Sequence, residues 1–371
     1  MNSVNTITIK TQVRRLKYFT IMLNILNSKG TNKDFLAESI SNWSTKNKNE
    51  FDKYDFQSGE IKNEFKSSNS QSFKNYYEAL LKLNLASEQT GFVIPSRLGV
   101  VLKKLEKICT YDNDNSYELS PLEKLFFTYI ILKVDNDWIL TIIKMIEDHP
   151  NKTISHYLNI YKQYYLSRLT NKLSCKSLHY DRASILDVIN RVKKWTKEKR
   201  YGEDIIPSRI NWLLDLGTLN RNNEHNATKS FILKKNLNLS LKYLSYFNND
   251  YFLKKDFFQK NFMGFAINFV KIDNQKSLKH WDNYSIDYQE KLLKECIKHC
   301  INSFKSLNLK RLSIEQTYLF SQLYLLLNHN LIVEQYQIEK WIKENKVIGI
   351  HKFYIRKSAR DYESYLIYKN E

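Results

Sequence analysis

The sequence predicts a mainly helical protein: small modules of helices and short β-hairpins joined by a helical connector. Three observations predict it. Apolar residues recur at helical spacing along most of the 371 residues. Only 8 glycines and 4 prolines are present, so turns that need positive φ are scarce and tight. One pattern also appears three times, as an amphipathic helix, a turn, and a Phe-led apolar triplet beside basic residues. The copies run from Leu80 to Arg97, from Leu213 to Lys235 and from Ile342 to Ser358.

The elements follow in order. Val13, Leu16, Phe19, Met22 and Leu26 place a first helix over 8–28. A second suits 33–42, and 46–72 is polar enough to hold a loop. Phe73, Tyr76, Tyr77, Leu80 and Leu81 mark a third, followed by a hairpin around Gly91 and a helix over 97–108. Ser120-Pro121-Leu122-Glu123 is a capping box with proline at the first helical position, which opens a helix over 121–134. Asp137 is expected to cap 138–148, and a further helix covers 153–170.

Residues 182–200 read as a helix with a basic end, and Pro207 is expected to open the next, which Gly217 closes in a left-handed cap. A second hairpin follows around Asn222 and Asn223. Long helices are expected over 251–272 and 286–307. Ser313 and Gln316 suggest a capping box ahead of 314–328, and 333–346 is helical. Val347–Ile350 against Phe353–Ile355 forms the third hairpin.

This pattern divides the chain into a module at 1–110, a connector at 111–180, a module at 181–250 and a helical region with a module at 251–371. Net charge is +19 with a pI near 9.4. Between 111 and 180, eight Lys or Arg balance eight Asp or Glu, so the excess lies in the flanking modules. Such a balance favours an anionic partner, nucleic acid first. Four scattered cysteines read as reduced thiols, no signal-peptide core follows Met1, and the longest apolar run, Leu125–Leu132, is too short to span a bilayer. A cytoplasmic location without membrane attachment is the expectation.

Phe92-Val93-Ile94-Pro95-Ser96-Arg97-Leu98-Gly99 resembles the wing strand of a winged helix-turn-helix running into a Leu-Gly helix start. Trp212-Leu213-Leu214-Asp215-Leu216-Gly217 resembles the end of a recognition helix in the DNA-reading halves of some bacterial restriction enzymes, which also string such modules together. The resemblance implies tandem winged-helix modules bound to double-stranded DNA, in a recognition or adaptor subunit of a bacterial, genome-defence complex with protein partners. An attached nuclease domain is not recognisable.

Forked and planar donors are what base edges and phosphates require. Asn69, Gln71, Lys74 and Asn75 are the candidates in the first module. Arg209 and Asn211 follow the basic run Arg191, Lys193, Lys194, Lys197, Lys199, Arg200 in the second. Lys340 lies in the third, whose start at Glu334, Gln335 and Gln337 is more acidic. The wings add Arg97; Arg221, Lys229, Lys234 and Lys235; and Lys352, Arg356, Lys357 and Arg360.

No convincing catalytic constellation emerges, and a non-enzymatic protein without cofactor or metal is expected. Asp52 or Asp55 with Glu60 and Lys62 is too tightly spaced and too polar for a nuclease core. His280, Cys296, His299 and Cys300 lie close in sequence, but Cys296 and Cys300 share the face of an amphipathic helix, where packing outweighs zinc ligation. No phosphate-cradling glycine loop or nucleophile elbow occurs. The rival readings are a helical scaffold for a protein partner and a divergent nuclease.

Overall fold

A computed structural model describes residues 4–10, 13–50, 65, 67–109, 111, 115–174, 182–221, 237–239, 257–269, 278–304, 311–344, 347–348, 351–357 and 364–370. They are mainly helical, with four small sheets among them. The chain forms two compact units. One comprises Met1–Ser96, Asp112–Lys255 and Asn268–Lys271, and the other Arg97–Tyr111, Asp256–Ile267 and Ile272–Glu371.

The described residues ahead of α1 are not helical, against the helix expected over 8–28. Helix α1 covers only Lys17–Ile25. Residues 5–7 and 13–15 are held instead by side chains from elsewhere in the unit. The Asn5 and Ile7 N–H groups donate to Asp137 Oδ2 and Asp135 Oδ1 at 2.8 and 2.9 Å. The Arg14 and Arg15 N–H groups donate to the Tyr76 hydroxyl, and Trp212 Nε1 donates to Val13 O. The apolar spacing over 8–28 fits a helix, but these long-range polar partners satisfy a non-helical backbone, and sequence spacing does not register them.

After α1 come strand β1 (Thr31–Asn32), α2 (Lys33–Lys46), α3 (Gln71–Lys82) and a hairpin of β2 (Ala86–Gln89) and β3 (Phe92–Pro95). The Ser70 hydroxyl caps α3 by accepting from the Phe73 N–H. Thr90 and Gly91 both have positive φ, at 48° and 81°, which lets a two-residue turn follow the twist of the arms. The sheet order is β1-β3-β2, so the short strand before α2 pairs antiparallel with the second arm of the hairpin. Tyr18, Phe65 and Tyr76 cluster in the core of this unit, with Tyr18 and Phe65 rings 4.8 Å apart.

Helix α5 (Pro121–Val134) follows α4 (Arg97–Leu105), which belongs to the second unit. The Ser120–Glu123 capping box is present, and Lys17 Nζ reaches both Glu123 oxygens at 2.8 Å. Nearly every side chain of α5 from Leu122 to Leu132 is buried, the mark of a core helix. Helix α6 (Asn136–Asp148) starts earlier than expected, and Asp137 lies inside it, committed to ion pairs and not to a cap.

Helix α7 (Ile154–Ser174) packs against α6, against α8 (Arg182–Lys193) and against α9 (Glu198–Asp215). Pro207 is interior to α9 and does not open it. Gly202 permits the close crossing of α9 over α7, since a Cβ there would stand 2.9 Å from Leu158 Cδ2. Gly217, at φ 75°, closes α9 in the left-handed conformation expected of it. A ribbon of β4 (Leu219–Arg221) and β5 (Leu237–Leu239) follows, and its turn lies outside the described residues.

The second unit contains α4, α10 (Phe257–Lys260), α11 (Phe262–Phe269, through Ile267), β6 (Lys279–His280) and α12 (Ile286–Phe304). The helix expected over 251–272 is thus two short helices where it is described. Strand β7 (Arg311–Ser313), α13 (Ile314–His329), β8 (Leu331–Ile332), α14 (Gln335–Glu344), β9 (Val347–Ile348), β10 (His351–Lys357) and β11 (Ser364–Asn370) complete the unit.

Its sheet order is β7-β11-β10-β9. The expected pairing of Val347–Ile350 with Phe353–Ile355 shrinks to β9 against His351 and Lys352, and the main hairpin is β10 with β11. Ser313 sits at the start of α13 without a side-chain cap, and the Gln316 side chain, which the expected capping box would turn back to the Ser313 backbone, donates to Arg97 O at 2.7 Å. Apart from β8, which pairs with β6, and β9, which pairs with β10, the order α12, β7, α13, α14, β10, β11 parallels that of α1, β1, α2, α3, β2, β3. In each, the short strand pairs antiparallel with the last.

Candidate nucleic-acid interface

Only part of the expected surface is exposed. In the first turn of α3, Gln71 and Lys74 face solvent, as does Asn69 ahead of it, whereas Asn75 is buried and accepts from Gln71 Nε2 at 2.9 Å. The helix turns Asn75 inward beside Tyr76, so it leaves the candidate set. The adjoining hairpin carries no cation: its exposed residues are Glu88, Gln89, Thr90, Gly91 and Phe92. Lys33 and the Tyr77 hydroxyl bind Glu88 and hold its carboxyl below the usual range, the lysine bond contributing most. Arg97, expected on this wing, instead begins α4 in the second unit, with its guanidinium 5.6 Å from the Tyr365 ring.

Arg209 and Asn211 also leave the set. Because α9 starts at Glu198, both sit in mid-helix on its buried side. Arg209 is 0% exposed, and its Nε donates to Asp135 Oδ2 at 2.9 Å. Its Nη2 donates to Ile7 O, and the guanidinium lies 4.7 Å from the Trp138 ring centre. Burial pushes the Asp135 carboxyl up, opposed by the Arg209 charge, its hydrogen bond and the Ile7 N–H.

Two further buried carboxylates, in three ion pairs, accompany this one. Asp137 binds Arg168 and Lys172 at 2.9 and 2.8 Å, and Asp215 binds Arg15 at 2.5 Å while accepting from the Leu16 N–H. Asn211 donates to Pro207 O, one turn back. These residues are structural. The sequence signal that could have found them is the set of acids at 135, 137 and 215 within apolar runs, where an unpaired charge is untenable.

In the second unit Lys340 is exposed, 3.9 Å from Glu344. Glu334 is buried and accepts from the Met263 and Gly264 N–H groups at 3.0 and 2.7 Å, closing the start of α11. Gln337 bridges the Glu334 N–H and Asp282. Arg221 ends β4, and Lys352, Arg356 and Lys357 lie on β10, but these side chains fall outside the described residues. So do Lys229, Lys234, Lys235 and Arg360, and likewise Asp52, Asp55, Glu60 and Lys62.

The basic run has a defined geometry that its sequence did not convey. Arg191, Lys193, Lys194, Lys197, Lys199 and Arg200 are all exposed around the turn from α8 to α9. Cys296 and Cys300 are buried, and burial pushes both thiols up. Among the described residues no group of His, Cys, Asp or Glu is arranged to hold a metal ion, and no helix is long and apolar enough to cross a membrane. Comparison with protein-family models, characterised proteins and solved structures finds no match.

Proposed function

We propose that this chain is a non-enzymatic protein that binds duplex DNA through winged-helix units, residues 17–95 and 286–370, as a recognition or adaptor subunit of a larger bacterial complex, in keeping with genome defence. One observation carries the reading. A helix, a short strand, two helices and a hairpin follow one another twice, with β8 and β9 interposed in the second copy, and each time the short strand ahead of the two helices pairs with the second arm of the hairpin. In such a unit the helix before the hairpin enters the major groove and its first turns meet base edges. That helix is α3 in one copy and α14 in the other.

Asn69, Gln71 and Lys74 present the donors such a helix needs. Lys340 does so on α14, and the net charge of +19 supplies long-range attraction. A second reading, a scaffold for a protein partner, is favoured at one place. Phe35 and Phe92 are 58% and 48% exposed on a module whose hairpin lacks cations.

Titration of the full chain into a labelled random duplex, followed by fluorescence anisotropy, separates the two. The DNA reading expects saturable binding with Kd at or below the order of 10⁻⁶ to 10⁻⁴ M at physiological salt. An unchanged anisotropy even at low salt leaves the scaffold.

A further inference from the structure

The turn between α8 and α9 combines features that neither winged-helix unit needs. Four aromatic rings are stacked there. Tyr161 and Tyr165 are buried and 5.8 Å apart at 13°; Trp195 lies 6.4 and 6.3 Å from them; and Tyr201 lies 4.7 Å from Trp195 at 18°. The outermost ring, Tyr201, is 44% exposed. Among the described residues no second ring or cation covers it.

The turn is anchored: Lys162 Nζ donates to Trp195 O at 3.2 Å and to Glu198 at 2.7 Å. Around it stand six exposed cations. Arg191 is paired with Asp187, but Lys193, Lys194, Lys197, Lys199 and Arg200 have no acidic partner among the described residues. Glu198 is engaged by Lys162, and Glu203 and Asp204 face solvent farther along α9.

An aromatic face offers nothing to the edges of paired bases. It accepts the face of a base only when that base is unstacked, and cations beside it then meet the flanking phosphates. We propose that this turn is a binding site for single-stranded nucleic acid, with a base stacked on Tyr201 and the backbone held by Lys193, Lys194, Lys197, Lys199 and Arg200. The proposal rests on the nucleic-acid reading above and extends it to a substrate carrying both duplex and unpaired strand. Trp195 behind Tyr201 keeps the platform flat and in place, so little order must be gained on binding.

The test uses the full chain with three labelled probes: thymidine and uridine oligonucleotides of about 20 nucleotides, several times a minimal site, and a duplex of the same length. Tyr201→Ala is expected to weaken binding to the single strands about tenfold to hundredfold and to leave duplex affinity within about twofold, while Tyr201→Phe retains wild-type affinity. The two single-stranded arms distinguish DNA from RNA as the source of the strand. A thermal melt like that of wild type shows that the variant is folded. Equal losses on single strand and duplex, or no loss on either, overturn the proposal. Duplex binding without single-strand binding sinks this site alone. Single-strand binding without duplex binding, lost in Tyr201→Ala, sustains this site and removes the duplex reading.

Discussion

Replacing Arg209 with alanine is expected to destabilise the first unit by about 3–5 kcal/mol, the cost of leaving one partner of a buried pair uncompensated. Arg209 and Asp135 are both fully buried, and the pair also carries the N-terminal segment: Ile7 donates to Asp135 and accepts from Arg209. The variant therefore orphans a carboxylate and a backbone carbonyl together. Asp135→Leu with Arg209→Met removes both charges and recovers part of the loss, but not all, because the Ile7 backbone groups then have no partner.

The pH dependence follows from the direction of the Asp135 shift. Burial raises that carboxyl, and Arg209 is the group that opposes the rise most. Without Arg209 the folded-state pKa climbs further above the unfolded value. The resulting penalty is absent below the unfolded pKa and grows as pH rises toward the folded one. The destabilisation, measured by urea melts against wild type at each pH, is thus expected to be smaller near about pH 5 than near about pH 8. A loss below about 1 kcal/mol, with no pH dependence, would mean that the pair is not shielded from water as described.

The second large effect concerns affinity. Gln71→Glu with Lys74→Glu is expected to weaken duplex binding by about tenfold to hundredfold, the worth of one base contact and one phosphate contact. Both positions lie in the first turn of α3, where acids suit the helix dipole, so folding is not the variable. Gln71 donates to Asn75 in the free protein, and that bond must give way to a base. Matching the same two changes with Lys340→Glu on α14 asks whether both copies engage DNA. An unchanged affinity in the α3 variant would move the contact away from α3.

How much of this was legible in the sequence depended on range. Local signals served well: the capping box at Ser120 and Glu123, the hairpin at Gly91 and the left-handed Gly217 all occur where local chemistry places them. Long-range signals did not. Strands β1 and β7 are only two and three residues long and gain their partners from hairpins some sixty and fifty residues away, so no periodicity announces them.

Pro207 misled because proline usually opens a helix, yet here it lies nine residues into α9. That displacement put Arg209 and Asn211 on a reading surface when they are core residues. Composition could not separate a structural arginine from one aimed at phosphate. Burial does so, and the buried Arg209 finds its counter-charge in one acid, Asp135, more than seventy residues earlier in the chain.

The central claim is that cations of this chain neutralise DNA phosphates while its helices read the groove. Salt dependence of duplex affinity tests it most directly, because each phosphate contact releases condensed counterions. Anisotropy titrations of the wild-type chain at about 50 to 300 mM salt are expected to give a linear plot of log K against log salt. Its slope should be steeper than about −3, for several contacts at roughly −0.9 each. A slope near zero would contradict the account, whatever the affinity at any one salt concentration.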